Sequence, residues 1–239
     1  MPQPRPWSPV PIRDCGEPLL ELPPQLLRLE PHPYVSLGAP YGAGASPFRL
    51  RTGVIERLLR ADRALRDDPQ PCRLAVFDAW RPVAVQGFMV AQATAEECRR
   101  RGFEPEDAPQ SLLAEVRRDV ARFWADPSLD PATPPPHSTG AAVDLTLADR
   151  EGRPLAMGGA IDAIGAVSEP AHYAAAALAD SSSEAALWHY RRQRLGAAMA
   201  AAGFARHPNE WWHFSHGDQL WAWLRGEPQA HYGRVVAGG

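Results

Sequence analysis

Ile55, Leu58, Leu59 and Leu65 recur at helical spacing after Thr52, with Arg and Asp between them, and Pro69 marks a stop. The pattern predicts an amphipathic helix over 52–66. Residues 73–77 (RLAVF) form a short, mostly apolar run that predicts a strand, followed by Asp78-Ala79-Trp80-Arg81-Pro82, where Pro82 opens a helix reaching about residue 101. Arg81 therefore sits at a strand-to-helix turn, a position where sites are commonly built. A further helix is expected over 109–125.

Five prolines between residues 126 and 136 exclude a helix or a central strand there, so His137 arrives on a stiff loop. After Gly140, residues 141–147 (AAVDLTL) alternate as a strand, with Asp144 and Thr146 on one face and Val143, Leu145 and Leu147 on the other. The Ala-rich stretch 171–178 has helical propensity. Ser183 is placed to cap a helix over 184–202 that Gly203 ends, and Phe204 starts a strand toward Glu210-Trp211-Trp212-His213-Phe214. Residues three apart on a regular strand point to opposite faces, which puts Glu210 in the loop entering the strand of His213. Residues 1–47 are rich in Pro and Gly and predict an entry segment with little regular structure, part of it wrapped around the domain. The expected architecture is α+β: one domain over 1–239, with a small, mainly antiparallel sheet carrying Asp144 and His213 and covered by helices.

Composition narrows the function. Lys+Arg 25 against Asp+Glu 28 gives a net charge of -3, so no basic footprint points to nucleic acid or an anionic membrane. The N-terminus offers no apolar signal core and no window approaches a membrane span, which predicts a cytoplasmic protein. Cys15, Cys72 and Cys98 are far apart and odd in number, the pattern of buried thiols in a reducing compartment.

Candidate chemistry falls into two tight clusters, His137 with Asp144 and Glu210 with His213. A hydrolytic zinc takes three protein ligands from His and carboxylate and leaves one position open, a number that His137, Asp144 and His213 supply. Glu210 is then free as an acid-base carboxylate. Each residue alone has a plainer reading: His213 a hydrogen-bonded core histidine, Asp144 a charge on a solvated face, Glu210 a surface acid, Arg81 an ion pair with Asp78. Their joint occurrence carries the case. His207 and His216 flank a ligand set that is already complete and are read as solvent-facing or supporting groups.

The segment His137-Ser138-Thr139-Gly140-Ala141-Ala142-Val143-Asp144, taken with Glu210-Trp211-Trp212-His213, resembles the zinc D-alanyl-D-alanine dipeptidases of bacterial vancomycin resistance and their housekeeping relatives. Asp78-Ala79-Trp80-Arg81-Pro82 and the stretch from Met157-Gly158 to Asp162 are similar to further motifs of that family, so the resemblance spans roughly residues 50–220. It implies the zinc D-Ala-D-Ala peptidase (hedgehog-like) fold and one Zn2+ held by His137, Asp144 and His213. It also implies Glu210 as general base and acid, Arg81 as the group stabilising the oxyanion, and Asp162, with Tyr34 beside it, as the binding site for the ammonium of a small D,D-dipeptide. The sequence departs from the family at Pro135, where a serine is usual, and at Gly38-Ala39-Pro40-Tyr41-Gly42. Two other readings stay open: a D,D-carboxypeptidase or cell-wall endopeptidase of the same superfamily, and a non-catalytic zinc-stabilised binding domain.

Overall fold

The structure, a computed structural model, describes residues 5–235; the outermost parts of the expected domain and entry segment, 1–4 and 236–239, lie outside the described residues. In chain order the elements are β1 (Leu19–Glu21), β2 (Leu27–Arg28), α1 (Pro33–Ser36), β3 (Arg49–Arg51), α2 (Thr52–Arg66), β4 (Arg73–Asp78), α3 (Val83–Arg100) and α4 (Gln110–Val120). They continue with β5 (Ala142–Ala148), α5 (Ala174–Ala179), α6 (Glu184–Ala201), β6 (Ala205–Arg206), β7 (His213–Ser215) and α7 (Gln219–Arg225).

The main sheet has the order β2-β4-β5-β7-β6, parallel only between β2 and β4 and antiparallel elsewhere, while β1 and β3 pair separately. Val143, Leu145 and Leu147 of β5 join Leu74, Val76 and Phe214 in a core closed by Val54, Leu58, Ala61 and Leu65 of α2 and by Leu195 and Met199 of α6. Helix α2 forms over the predicted span because its apolar stripe has this sheet to cover. A second core, with Tyr34, Val85, Met89, Val116, Val120 and Trp124, packs α3 and α4 against the N-terminal segment. All seven residues of β5 are buried, since both faces of the strand are covered. The α+β class and the mainly antiparallel sheet follow the expectation.

The entry segment is mostly irregular, as expected, with two short strands and a helical turn, and it ties into the C-terminus where Ile12 bridges Ala230. Three expectations are corrected. Helix α4 stops at Val120 rather than 125, because Trp124 turns inward to lie under the Arg81 guanidinium. The Ala-rich helix begins at Ala174, after Tyr173 has turned to donate a hydrogen bond to the Gly158 carbonyl. Cys72 and Cys98 are buried thiols, but Cys15 is exposed.

A β-bulge between Val76 and Asp78 sets Asp78, rather than Phe77, opposite Asp144. Strict alternation would aim Asp78 into the same apolar core as Val76; the extra residue turns its carboxylate to the other face. The His137 loop is a short 3-10 turn, Pro136–Thr139, closed by Gly140 at φ 69°. A Cβ at Gly140 would lie 2.4 Å from Leu19 Cδ1. Replacing Gly140 by Ala is expected to cost about 1–2 kcal/mol for the left-handed conformation alone, seen as a lowered Tm in thermal denaturation.

Candidate active site

Three backbone elements bring the three candidate ligand side chains together. His137 comes from the 3-10 turn, Asp144 from β5, and His213 from β7, where it pairs directly across from Asp144. Their ligand atoms converge closely. His137 Nε2 lies 3.1 Å from His213 Nδ1 and 3.2 Å from Asp144 Oδ2, and His213 Nδ1 lies 3.1 Å from Asp144 Oδ1. All three residues are buried.

The outward-facing ring nitrogens fix which atoms are free. His137 Nδ1 donates to the Ala79 carbonyl at 2.7 Å, and His213 Nε2 contacts Ser215 Oγ at 3.3 Å. With His137 Nδ1 donating to Ala79 and His213 Nε2 donating to Ser215, His137 Nε2 and His213 Nδ1 both present lone pairs to one point, which the Asp144 carboxylate also faces. Three converging lone pairs suit a cation between them. Tetrahedral zinc with bonds of about 2.0–2.1 Å sets its ligand atoms about 3.3–3.4 Å apart, close to the spacing found. The His-Asp-His set fits zinc in both donor type and separation.

Glu210 precedes β7 in the loop, as expected, with Oε2 3.7 Å from His213 Nδ1 and Oε1 3.6 Å from His207 Nδ1. Burial, with Asp144 and Asp162 nearby, pushes its carboxyl well above the usual carboxylate range. Such a group holds a proton more readily than a solvated glutamate does. Burial also lowers His207 to about 3, so that ring is neutral beside Glu210. His216 bonds the Gly203 carbonyl at 2.9 Å and packs on Trp221. Both histidines are buried rather than solvent-facing.

Arg81 is 4% exposed. Its guanidinium donates to Asp78 Oδ2 at 2.8 Å, Gln86 Oε1 at 3.0 Å, Tyr34 Oη at 3.2 Å and Asp144 Oδ2 at 3.2 Å, and it lies over the Tyr34 and Trp124 rings. The plainer reading of Arg81, an ion pair with Asp78, is thus present alongside its contact with the Asp144 carboxylate. Burial pulls the Asp78 carboxyl upward, but Arg81 and the hydrogen bond with His32 outweigh it and hold Asp78 below the usual range. Asp78 stays ionised and anchors Arg81.

Asp162 stands at φ 66°, a conformation that favours Asn, Asp and Gly, and accepts a 2.6 Å hydrogen bond from Tyr34 Oη. Burial and then the Asp144 charge push its carboxyl up to about 7. The loop that carries it is clamped at both ends by Arg192, fully buried, whose Nε donates to the Met157 carbonyl at 2.8 Å and Nη1 to the Glu169 carbonyl at 2.9 Å. His137, Asp144, His213, Glu210, Arg81 and Asp162 line one cavity, with Tyr34 joined to it through Asp162 and Arg81.

Several residues around this cavity escaped the sequence reading. Asp78 was visible only as a partner of Arg81, and its bulge has no sequence marker. Gln86 orients Arg81 while its own amide donates to the Ala125 carbonyl at 2.7 Å. Arg5 and Trp7 line the cavity from a proline-rich stretch with no motif.

A model of the D-Ala-D-Ala dipeptidase family matches residues 28–232. The chain belongs to that family. It is 44% identical over 97% of its length to a D-alanyl-D-alanine dipeptidase of Synechocystis sp., covering 97% of that protein. A D-alanyl-D-alanine dipeptidase of Escherichia coli is 36% identical over 78 residues, 33% of this chain and 36% of that one. Among solved structures, the vancomycin-resistance D,D-pentapeptidase VanY with Zn(II) aligns over 92% of this chain and 95% of its own at 15% identity and a TM-score of 0.47. VanYB in complex with D-alanine-D-alanine aligns over 74% of this chain and 78% of its own, at 16% identity and a TM-score of 0.45.

Proposed function

We propose that the chain is a zinc-dependent dipeptidase that hydrolyses D-Ala-D-Ala to two D-alanines at the cavity lined by His137, Asp144, His213 and Glu210. The observation that carries the reading is the convergence of three lone-pair donors within 3.1–3.2 Å, with the buried Glu210 carboxyl at their side. Membership of the D-Ala-D-Ala dipeptidase family supports the substrate. His137, Asp144 and His213 hold the ion, which when bound supplies a Lewis acid that polarises a carbonyl and acidifies water.

The remaining steps belong to side chains. Glu210 accepts the proton of the attacking water and delivers it to the departing amine nitrogen. Arg81, a permanent cation held by Asp78 and Gln86, stabilises the negative charge that develops on the carbonyl oxygen. Asp162, oriented by Tyr34, binds the substrate ammonium, whose positive charge also favours the ionised carboxylate. The reading extends to action in the cytoplasm on small peptides related to the cell wall.

The test is a substrate panel of D-Ala-D-Ala, L-Ala-L-Ala, mixed dipeptides and a D-Ala-D-Ala-terminated pentapeptide. Turnover of the D,D-dipeptide well above the others is expected. Preferential cleavage of the pentapeptide would move the protein to the carboxypeptidase reading. Replacing Asp162 by Asn is expected to raise KM for the dipeptide about 10- to 100-fold, the range for losing one charge-assisted hydrogen bond, with a smaller effect on kcat.

A further inference from the structure

The cavity carries three guanidinium groups against its carboxylates: Arg5, Arg81 and Arg122. Arg81 is already paired with the Asp78 and Asp144 carboxylates and bonds Gln86 and Tyr34. Arg122 is exposed, its guanidinium 5.7 Å from the Phe123 ring centre. Arg5 differs from both. Its Nη2 donates to the Ala121 and Trp124 carbonyls, just beyond the end of α4, at 2.5 and 3.1 Å. Among the described residues no carboxylate pairs with it, and its charge is felt by Glu210 and His207 across the cavity.

The segment that carries Arg5 is braced. Trp7 meets the His207 ring edge-on at 6.0 Å and the Trp223 ring at 5.8 Å. Ser8 closes a turn with Arg5 through its hydroxyl and its amide. Gln219 Nε2 donates to the carbonyls of Ser8, Val10 and Ala132 at 3.2, 2.6 and 3.0 Å. A guanidinium fixed in this way loses little side-chain freedom when it binds an anion.

A free dipeptide brings two opposite charges into one small site. Asp162 answers the ammonium, and the carboxylate needs a cation not already paired with another carboxylate. We propose that Arg5 is that cation: it binds the C-terminal carboxylate of the substrate and makes the site select peptides that end there. The assignment rests on the dipeptidase reading above.

Zinc-loaded wild type, Arg5→Ala, Arg5→Lys and Arg122→Ala are assayed on D-Ala-D-Ala and on its C-terminal amide. Wild type is expected to prefer the acid, and Arg5→Ala to erase most of that preference through a rise in KM for the acid of about 10- to 100-fold, the loss of one charge-assisted hydrogen bond. Arg5→Lys restores part of it, and Arg122→Ala keeps it. A purely structural role for Arg5 would lower activity on acid and amide alike. Wild-type acid preference in Arg5→Ala, or its loss in Arg122→Ala instead, overturns the assignment while leaving the dipeptidase reading intact. Absence of wild-type turnover on both substrates overturns that reading, and this assignment with it.

Discussion

Glu210→Gln is expected to lower kcat for D-Ala-D-Ala by about 10²- to 10⁴-fold, the usual contribution of a positioned acid-base group, with zinc content unchanged. The amide matches the carboxylate in shape but cannot take a proton from water. Glu210 stands 3.7 Å from the nearest nitrogen of the His-Asp-His cluster, His213 Nδ1, and outside that cluster, so its loss leaves the proposed ligand set whole. Removing a buried, ionisable carboxyl spares its desolvation cost, and the fold should be as stable as wild type or slightly more so. A split between full zinc occupancy and collapsed kcat, measured by metal analysis and steady-state kinetics, identifies a proton carrier. Equal loss of metal and activity would instead make Glu210 a ligand.

His137→Ala is expected to produce the opposite split, with zinc stoichiometry falling from one per chain toward zero and dipeptide hydrolysis abolished. The ring supplies one corner of the cluster, and without it Asp144 Oδ2 and His213 Nδ1 alone do not complete a site. The variant also leaves the Ala79 carbonyl, which His137 Nδ1 holds at 2.7 Å, without its donor. Zinc at a hundred times its dissociation constant should stabilise wild type by about 2.7 kcal/mol, visible as a raised Tm. In His137→Ala that rise should disappear. A variant that keeps both the metal and the thermal shift would place the ion elsewhere.

Much of this site is legible in the sequence because its parts sit at the ends of strongly patterned elements. The α2 stripe and the RLAVF run fix the sheet around Arg81, and the β5 alternation puts Asp144 on the face away from Val143 and Leu145. Glu210 and His213 follow from the requirement that residues three apart on a strand diverge. What the pattern does not contain is geometry set by single residues and distant contacts. The bulge that turns Asp78 away from the core depends on how β4 pairs with β5, 70 or so residues away in the chain. The early end of α4 depends on Trp124 meeting Arg81, and the place of Arg5 depends on carbonyls 116 and 119 residues downstream. Short strands in the entry segment pair with β3 and β4, which no local propensity reveals.

The most direct measurement of the central claim is release of D-alanine from D-Ala-D-Ala by zinc-loaded wild type, by the chelator-treated protein, and by that protein after one equivalent of zinc is restored. The account predicts turnover, its loss on chelation, and its return with the single equivalent. D-alanine release that persists after the metal is fully removed, or no release by a chain holding one zinc at His137, Asp144 and His213, would contradict it.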